Sequence, residues 1–237
     1  MRKLMRKVLF LIAAFVSVGT SSCIAHVKSV TPSQTTKETV VVGQQMRSVK
    51  GQVLISSEVP ALRLKFDKAF KYVGGQNFIL YEVARAEQHF FVDADKQGRI
   101  KRMYWVQFEG YLPSNTETYD YGVNKTVNLA GLDFIADAYA RNIKGNSGRP
   151  DSDGNRARAF LGSKGYRMAS DEVMSQRLVH LIDKEKRNEL MIIYIEDLSE
   201  MGLTAADVGA GGRAANRWDE ISKGLLERTV KGMKVLR

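Results

Sequence analysis

The stretch Met103-Tyr104-Trp105-Val106-Gln107-Phe108-Glu109-Gly110-Tyr111 sets the fold class. Its aromatic and β-branched side chains fit a pleated backbone better than a helix. With side chains alternating across a strand, Tyr104, Val106 and Phe108 share one face, and Met103, Trp105 and Tyr111 share the other. A strand apolar on both faces is either covered on both sides or has one face under helices and one lining a groove. In the second case Tyr104, Trp105, Phe108 and Tyr111 are the candidate lining for a small apolar ligand, because concave aromatic surfaces are the usual basis of such binding.

Working outward toward the N-terminus, the strand-like character continues back to Gln52. Val53-Leu54-Ile55, Leu62-Arg63-Leu64-Lys65-Phe66, Phe78-Ile79-Leu80-Tyr81-Glu82-Val83 and Gln88 to Val92 combine β-formers with turn residues between them, and Gly74-Gly75-Gln76-Asn77 reads as a turn. No helix-length segment separates these runs, so parallel pairing would lack its crossovers and an antiparallel meander is predicted. Asp93-Ala94-Asp95-Lys96-Gln97-Gly98-Arg99-Ile100 has the spacing of the first positions of a calcium loop. Tyr104 stands where the bidentate Glu of such a loop belongs, so the stretch reads as a hairpin turn.

Toward the C-terminus the spacing becomes helical. Leu129, Leu132, Ile135, Ala136 and Tyr139 predict a helix ending near Ile143. A short helix is predicted over Asn155 to Leu161, and Ser170-Asp171-Glu172 reads as the capped start of another, with Val173, Met174, Leu178, Leu181 and Ile182 on its apolar positions. Leu190-Met191-Ile192-Ile193-Tyr194-Ile195 reads as a strand buried on both sides. A final helix is predicted from about Ala214 to Leu236, with Trp218, Ile221, Leu225, Thr229, Met233 and Leu236 on one stripe. The expected fold class is α+β, an antiparallel sheet packed against helices from the C-terminal half, as one domain over residues 49–237.

The first residues carry a different signal. Arg2, Lys3, Arg6 and Lys7 precede an uncharged, largely apolar run from Val8 to Val18, followed by Gly19-Thr20-Ser21-Ser22 and the only cysteine, Cys23. This is the tripartite pattern of a secretory signal peptide over residues 1–22. A run of that length falls well short of the roughly 20 helical residues that cross a bilayer. Thr20-Ser21-Ser22-Cys23 resembles the lipobox of bacterial lipoprotein precursors, with Thr20 standing where that pattern usually has Leu. The resemblance implies cleavage before Cys23, a lipid on that cysteine and attachment to the membrane through it. Ile24, rather than Asp, in the next position resembles lipoproteins sent to the outer membrane of Gram-negative cells, facing the periplasm. The alternative is ordinary cleavage near Ser22 or Ala25, leaving a soluble periplasmic protein. Residues 23–48 read as a flexible tether, although Thr39 to Val42 could add an edge strand.

Composition narrows the function classes. The formal net charge of +10 falls to +6 when the four cations of residues 1–22 are removed from the 36 Lys and Arg, against 26 Asp and Glu. That excess suits acidic lipid or polysaccharide, and an exported protein does not meet nucleic acid. No Gly-x-Ser-x-Gly, Ser-x-x-Lys or P-loop occurs, Val208-Gly209-Ala210-Gly211-Gly212-Arg213 lacks dinucleotide spacing, and no cofactor is expected. The histidines His26, His89 and His180 are scattered, so no metal site is expected. Three roles remain open. One is a non-catalytic module for a small apolar ligand or an envelope protein partner. Another is a hydrolase using Glu82, Glu87 and His89 as acid–base groups. The third is a structural protein that meets the cell wall through the cations between Arg141 and Arg167.

Overall fold

The computed structural model describes residues 45–122, 124–145 and 148–237. In chain order the strands are β1 (Ser48–Lys50), β2 (Val53–Ser56), β3 (Leu62–Phe66), β4 (Lys71–Leu80), β5 (Ala84–Ala94), β6 (Arg99–Tyr111), β7 (Lys125–Leu129) and β8 (Leu132–Asn142). Helix α1 (Asp153–Ser163) is followed by β9 (Arg167–Met168), β10 (Glu172–Leu181) and β11 (Asn188–Asp197). Two helices, α2 (Ala205–Val208) and α3 (Trp218–Lys231), precede the last strand, β12 (Met233–Leu236). The described chain is therefore mostly antiparallel sheet with few helices, within the α+β class.

A small sheet has the order β1-β2-β3-β12. The large sheet runs β4-β5-β6-β11-β10-β8-β7, with β9 pairing in parallel with the start of β6. It consists of two antiparallel meanders, β4-β5-β6 and β7-β8-β10-β11, joined where β6 pairs with β11. The predicted meander over 52–111 is thus divided, with β1, β2 and β3 in one sheet and β4, β5 and β6 in the other.

The parity of 103–111 follows its alternation. Tyr104, Val106 and Phe108 lie in one apolar cluster with Leu54, Leu64, Phe66, Phe134, Met174, Leu190, Ile192, Tyr194, Ile221 and Leu225. Met103 and Trp105 lie in a second, with Phe90, Val92, Val173, Val179, Met191, Ile193, Ala157 and Leu161. The centre of the large sheet is therefore covered on both faces, as its continuous apolar runs require.

Four expectations are corrected. Residues 128–143 form the β7–β8 hairpin and not a helix, turning at Ala130 and Gly131 with φ of 53° and 82°. Alanine-rich 134–140 has good helix propensity, yet its alternate residues Leu132, Phe134 and Ala136 are buried in strand register. Residues 172–181 form β10, in which Ser170 does supply a local acceptor, for the Glu172 N–H at 3.0 Å, but opens a strand. Segments apolar on both faces fit either period, and pairing with neighbours decides between them. Next, Gly74-Gly75 is not a turn but lies inside β4 at a bulge between Tyr72 and Gly74. A Cβ at Gly74 would meet Phe160 of α1, and one at Gly75 would meet His89 Nδ1 at 2.8 Å, so glycine allows both close approaches. Last, the C-terminal helix stops at Lys231. Gly232 leaves room for the Tyr104 hydroxyl, which donates to Thr229 O at 2.7 Å, and the chain then enters β12 against β3.

The short helix near 155 forms as α1, capped by Ser152 Oγ, which accepts the Asn155 N–H at 3.3 Å. Residues 93–100 form the expected hairpin, where Gly98 takes φ of 75° and Asp95 accepts the N–H groups of Gln97 and Arg99.

Candidate functional site

One end of the large sheet opens into a cleft of about 660 Å³. β5 supplies Asp93 and Ala94, the turn after it Asp95, and β6 supplies Lys101 and Arg102. β10 supplies Met174, β11 supplies Glu196 and Asp197, the turn after it supplies Glu200 and Met201, and α3 supplies Arg228. Strand register builds the floor: Asp93 stands opposite Arg102, Arg102 opposite Glu196, and Glu196 opposite Met174. Charged residues thus occupy positions that, farther along the same strands, carry the buried Tyr104 and Tyr194.

These charges are held in place. Arg102 Nε donates to Asp93 Oδ2 at 2.7 Å. Arg228 Nε donates to Glu196 Oε1 and Oε2 at 2.9 and 3.1 Å, its NH2 also reaches Oε1, and the Tyr194 hydroxyl donates to Oε2 at 2.7 Å. The hydrogen bond that Arg228 donates to Glu196 raises its guanidinium above its ordinary value. For Arg102, burial alone would lower the guanidinium, but the Asp93 and Tyr194 contacts outweigh it and raise it. Burial, then the Glu196 charge, pushes the Tyr194 hydroxyl well up. Outside these pairs, Asp95 is bound by Arg99 Nε at 2.6 Å, and Asp197 Oδ1 accepts the Ser199 N–H and hydroxyl at 2.8 and 2.6 Å. Among the described residues Asp197, Glu200 and Lys101 have no ion-pair partner. Met174, Ala94 and Met201, the last 41% exposed, provide apolar wall. A pocket of this size with a few fixed polar groups suits a small ligand.

The predicted acid–base residues are partly brought together. Glu87 and His89 point to the same face of β5, with His89 Nε2 2.8 Å from Glu87 Oε1, and the Tyr72 hydroxyl lies 3.1 Å from His89 Nδ1. An ionised Glu87 only accepts, so His89 Nε2 carries the hydrogen that faces it. Glu87 also accepts the N–H groups of Met46 and Arg47 at 3.1 and 3.0 Å and Arg47 NH1 at 3.1 Å. The Arg47 guanidinium stacks 4.1 Å over Phe108 and bonds Val59 O, so this network fastens the end of the expected tether to the sheet. Burial pushes the Tyr72 hydroxyl up to about 12, which disfavours it as a nucleophile. Glu82 is not in the group. It sits exposed in the β4–β5 turn with φ of 62°.

The four aromatic residues do not share a groove. Tyr104 and Phe108 are buried on one face and Trp105 on the other, while half-buried Tyr111 stacks on Tyr119 at 4.5 Å. Their alternation, together with cover on both faces, accounts for this. The 141–167 cations are largely spent within the fold. Arg149 and Arg156 lie over Tyr81 and Phe78 at 4.0 and 4.6 Å, and Arg158 NH2 donates to Ile143 O at 2.9 Å. The glycine loop 208–213 is closed by Arg213, which binds Asp207 at 2.7 Å. No group of His, Cys, Asp and Glu suited to a metal occurs among the described residues, and none of their helices is long and apolar enough to cross a membrane. Cys23, His26 and the 39–42 segment lie outside the described residues.

Sequence reasoning missed the cleft residues Arg102, Glu196 and Arg228. The available signal was a charged residue at an inward strand position, Arg102 before Tyr104 and Glu196 after Tyr194. No known protein family matches this chain, and neither a curated protein nor a solved structure does.

Proposed function

We propose that this is an exported envelope protein, lipid-anchored through Cys23, whose domain is a non-catalytic binding module. The ligand is a small zwitterion with an apolar body, a free amino acid or the end of a peptide from an envelope partner. The observation that carries this reading is the charge arrangement of the cleft. Two ion pairs neutralise Asp93, Arg102, Glu196 and Arg228 and hold them rigid, leaving the carboxylates of Asp197 and Glu200 and the ammonium of Lys101 for a ligand's ends. Met174 and Met201 contact its apolar part, and methionine adapts to varied shapes. We read α2 and α3 as packing on the sheet, with Arg228 of α3 set above Glu196 as a result.

The hydrolase reading rests on the Glu87–His89–Tyr72 chain. Glu87 is there committed to four donors beneath Arg47, which supports a fastening role instead. The test is a titration of the protein with free amino acids, dipeptides, simple amines and dicarboxylates, followed by amide chemical shifts. Zwitterions should move Lys101, Arg102, Asp197 and Glu200, and Glu200→Gln should weaken binding by about 5- to 10-fold, the worth of one charged hydrogen bond at a half-open site. Shifts confined to other regions, or equal binding of dicarboxylates, would refute the zwitterion cleft.

A further inference from the structure

The small sheet has two unlike faces. Leu54, Leu62, Leu64, Phe66 and Met233 point inward and join the apolar cluster that holds Tyr104 and Ile192. The residues between them point outward, and strand register sets these in two rows. Lys50, Val53, Lys65 and Lys234 form one row, since Val53 pairs with both Lys50 and Lys65, and Lys65 pairs with Lys234. Ile55, Arg63 and Leu236 form the other. At the ordinary strand spacing the first row is about 14 Å long. All four cations are exposed, and no side-chain hydrogen bond, ion pair or ring contact ties them to another described residue. The four strands contain no Asp or Glu. The nearest carboxylates along the chain, Glu58 and Asp67, belong to the connections on either side of β3, and Asp67 accepts the Ala69 N–H at 2.9 Å.

Protection of sheet edges accounts for only part of this charge. Lysine on an edge strand blunts pairing with another chain, which covers Lys50 on β1 and Lys234 on β12. Arg63 and Lys65 stand on β3, which is paired on both sides and has no edge to protect. Lys65 also faces Lys234 directly, and like charges so placed are destabilising. By contrast, Arg47, Arg102, Arg177 and Arg228 each meet a carboxylate within the fold. An anion from outside would relieve the repulsion across the outer face. Half-buried Val53, Ile55 and Leu236 lie among the cations and belong to none of the apolar clusters.

We propose that the outer face of the small sheet docks on a membrane surface rich in anionic lipid headgroups. Aliphatic side chains set among cations suit a boundary where phosphate meets acyl chain, a mixture that an acidic polysaccharide does not offer. Residues 24–47 connect β1, the first strand of this same sheet, to Cys23. The lipid proposed on that cysteine keeps the face near a membrane, and a tethered second contact gains from the effective concentration this creates. The docking rests on the anchor only for that setting, because the face and its charge exist without it.

The test is co-sedimentation of the full-length Cys23→Ser chain, which carries no lipid, with vesicles of phosphatidylcholine or of an equal mixture of phosphatidylcholine and phosphatidylglycerol. The chain should prefer the anionic vesicles, and the preference should fade at high salt. Lys65→Gln with Lys234→Gln should cut the preference about 10- to 30-fold, at about fivefold for each cation held near an anionic surface. Lys144→Gln with Lys164→Gln should leave it unchanged. All these chains share residues 1–22, so the cations there cancel from the comparison. Acetylation of the parent chain, read by mass spectrometry, measures the face directly. Lys50, Lys65 and Lys234 should be protected on anionic vesicles, and Lys164 should not, since it follows α1, which packs on the opposite face of the large sheet. That footprint decides the matter even if a variant fails to fold. An equal loss in the two paired variants, or no protection of the three lysines, would overturn the docking face. Binding of alginate in solution by a chain that ignores anionic vesicles would overturn the lipid in favour of an acidic polysaccharide. Because the assayed chain bears no acyl group, a negative result leaves the anchor at Cys23 untouched, and an unlipidated wild type leaves this face untouched.

Discussion

Glu87 shows how a single residue can hold the entry of the chain onto its domain. Burial alone would raise its carboxyl, but the hydrogen bond and charge of His89, the Arg47 guanidinium and the Met46 N–H outweigh that and hold it below its ordinary value. A carboxylate lowered in this way adds stability above the ordinary carboxylate range, and the contribution disappears as pH falls through that range toward the folded value. Removing one partner of a buried pair strands the other, here Arg47, whose side chain is 9% exposed. Glu87→Gln is therefore expected to lose about 3 kcal/mol of stability at neutral pH in urea unfolding. The gap from wild type should narrow as pH falls through the ordinary carboxylate range and below it. A gap that stayed constant across that range would show that the charge of Glu87 is not what matters. The acid–base pairing of Glu87 with His89 was readable from their i, i+2 spacing on one strand face. Tyr72 and Arg47 were not, since they reach the site from β4 and from the segment before β1.

At the scale of elements, β7, β8 and β10 carry the instructive errors. Leu129, Leu132, Ile135, Ala136 and Tyr139 fit a helical stripe, yet Leu129 closes β7, and in β8 Leu132 and Ala136 face one apolar cluster while Ile135 faces the other. The hairpin that makes this possible places Ala130 at φ of 53°, a left-handed conformation that costs an alanine about 1 kcal/mol. Ala130→Gly removes that cost while adding unfolded-state entropy, so a net gain of up to about 0.5 kcal/mol is expected, and Ala130→Asn should also be tolerated. Calorimetric melting checks this. A clear fall in Tm for both variants would mean that the turn is not built this way. The same hairpin register pairs Leu129 with Leu132 and sets which β8 residues reach β10. By contrast, the 93–100 hairpin was legible, because Asp95 and Gly98 act locally on backbone within four residues of themselves.

For the molecule as a whole, the decisive prediction concerns attachment. Full-length protein made in a bacterial host should fractionate with membranes and carry acyl mass on Cys23, and Cys23→Ser should abolish both. A wild type released without added mass would remove the lipid from the proposed function and leave the cleft untouched, since the two rest on separate residues. The reach of the sequence differed from region to region for one physical reason. The faces of 103–111, the two-sided burial of 190–195, the 93–100 turn and the α1 helix are encoded by neighbours a few residues apart, so alternation, turn chemistry and capping reveal them. The state of 128–143 and 172–181, the apposition of Lys65 with Lys234, and the row Asp93–Arg102–Glu196 were decided only in the tertiary structure. In each of these, strand register joins residues far apart in the chain, and a segment apolar on both sides takes its conformation from whatever covers it.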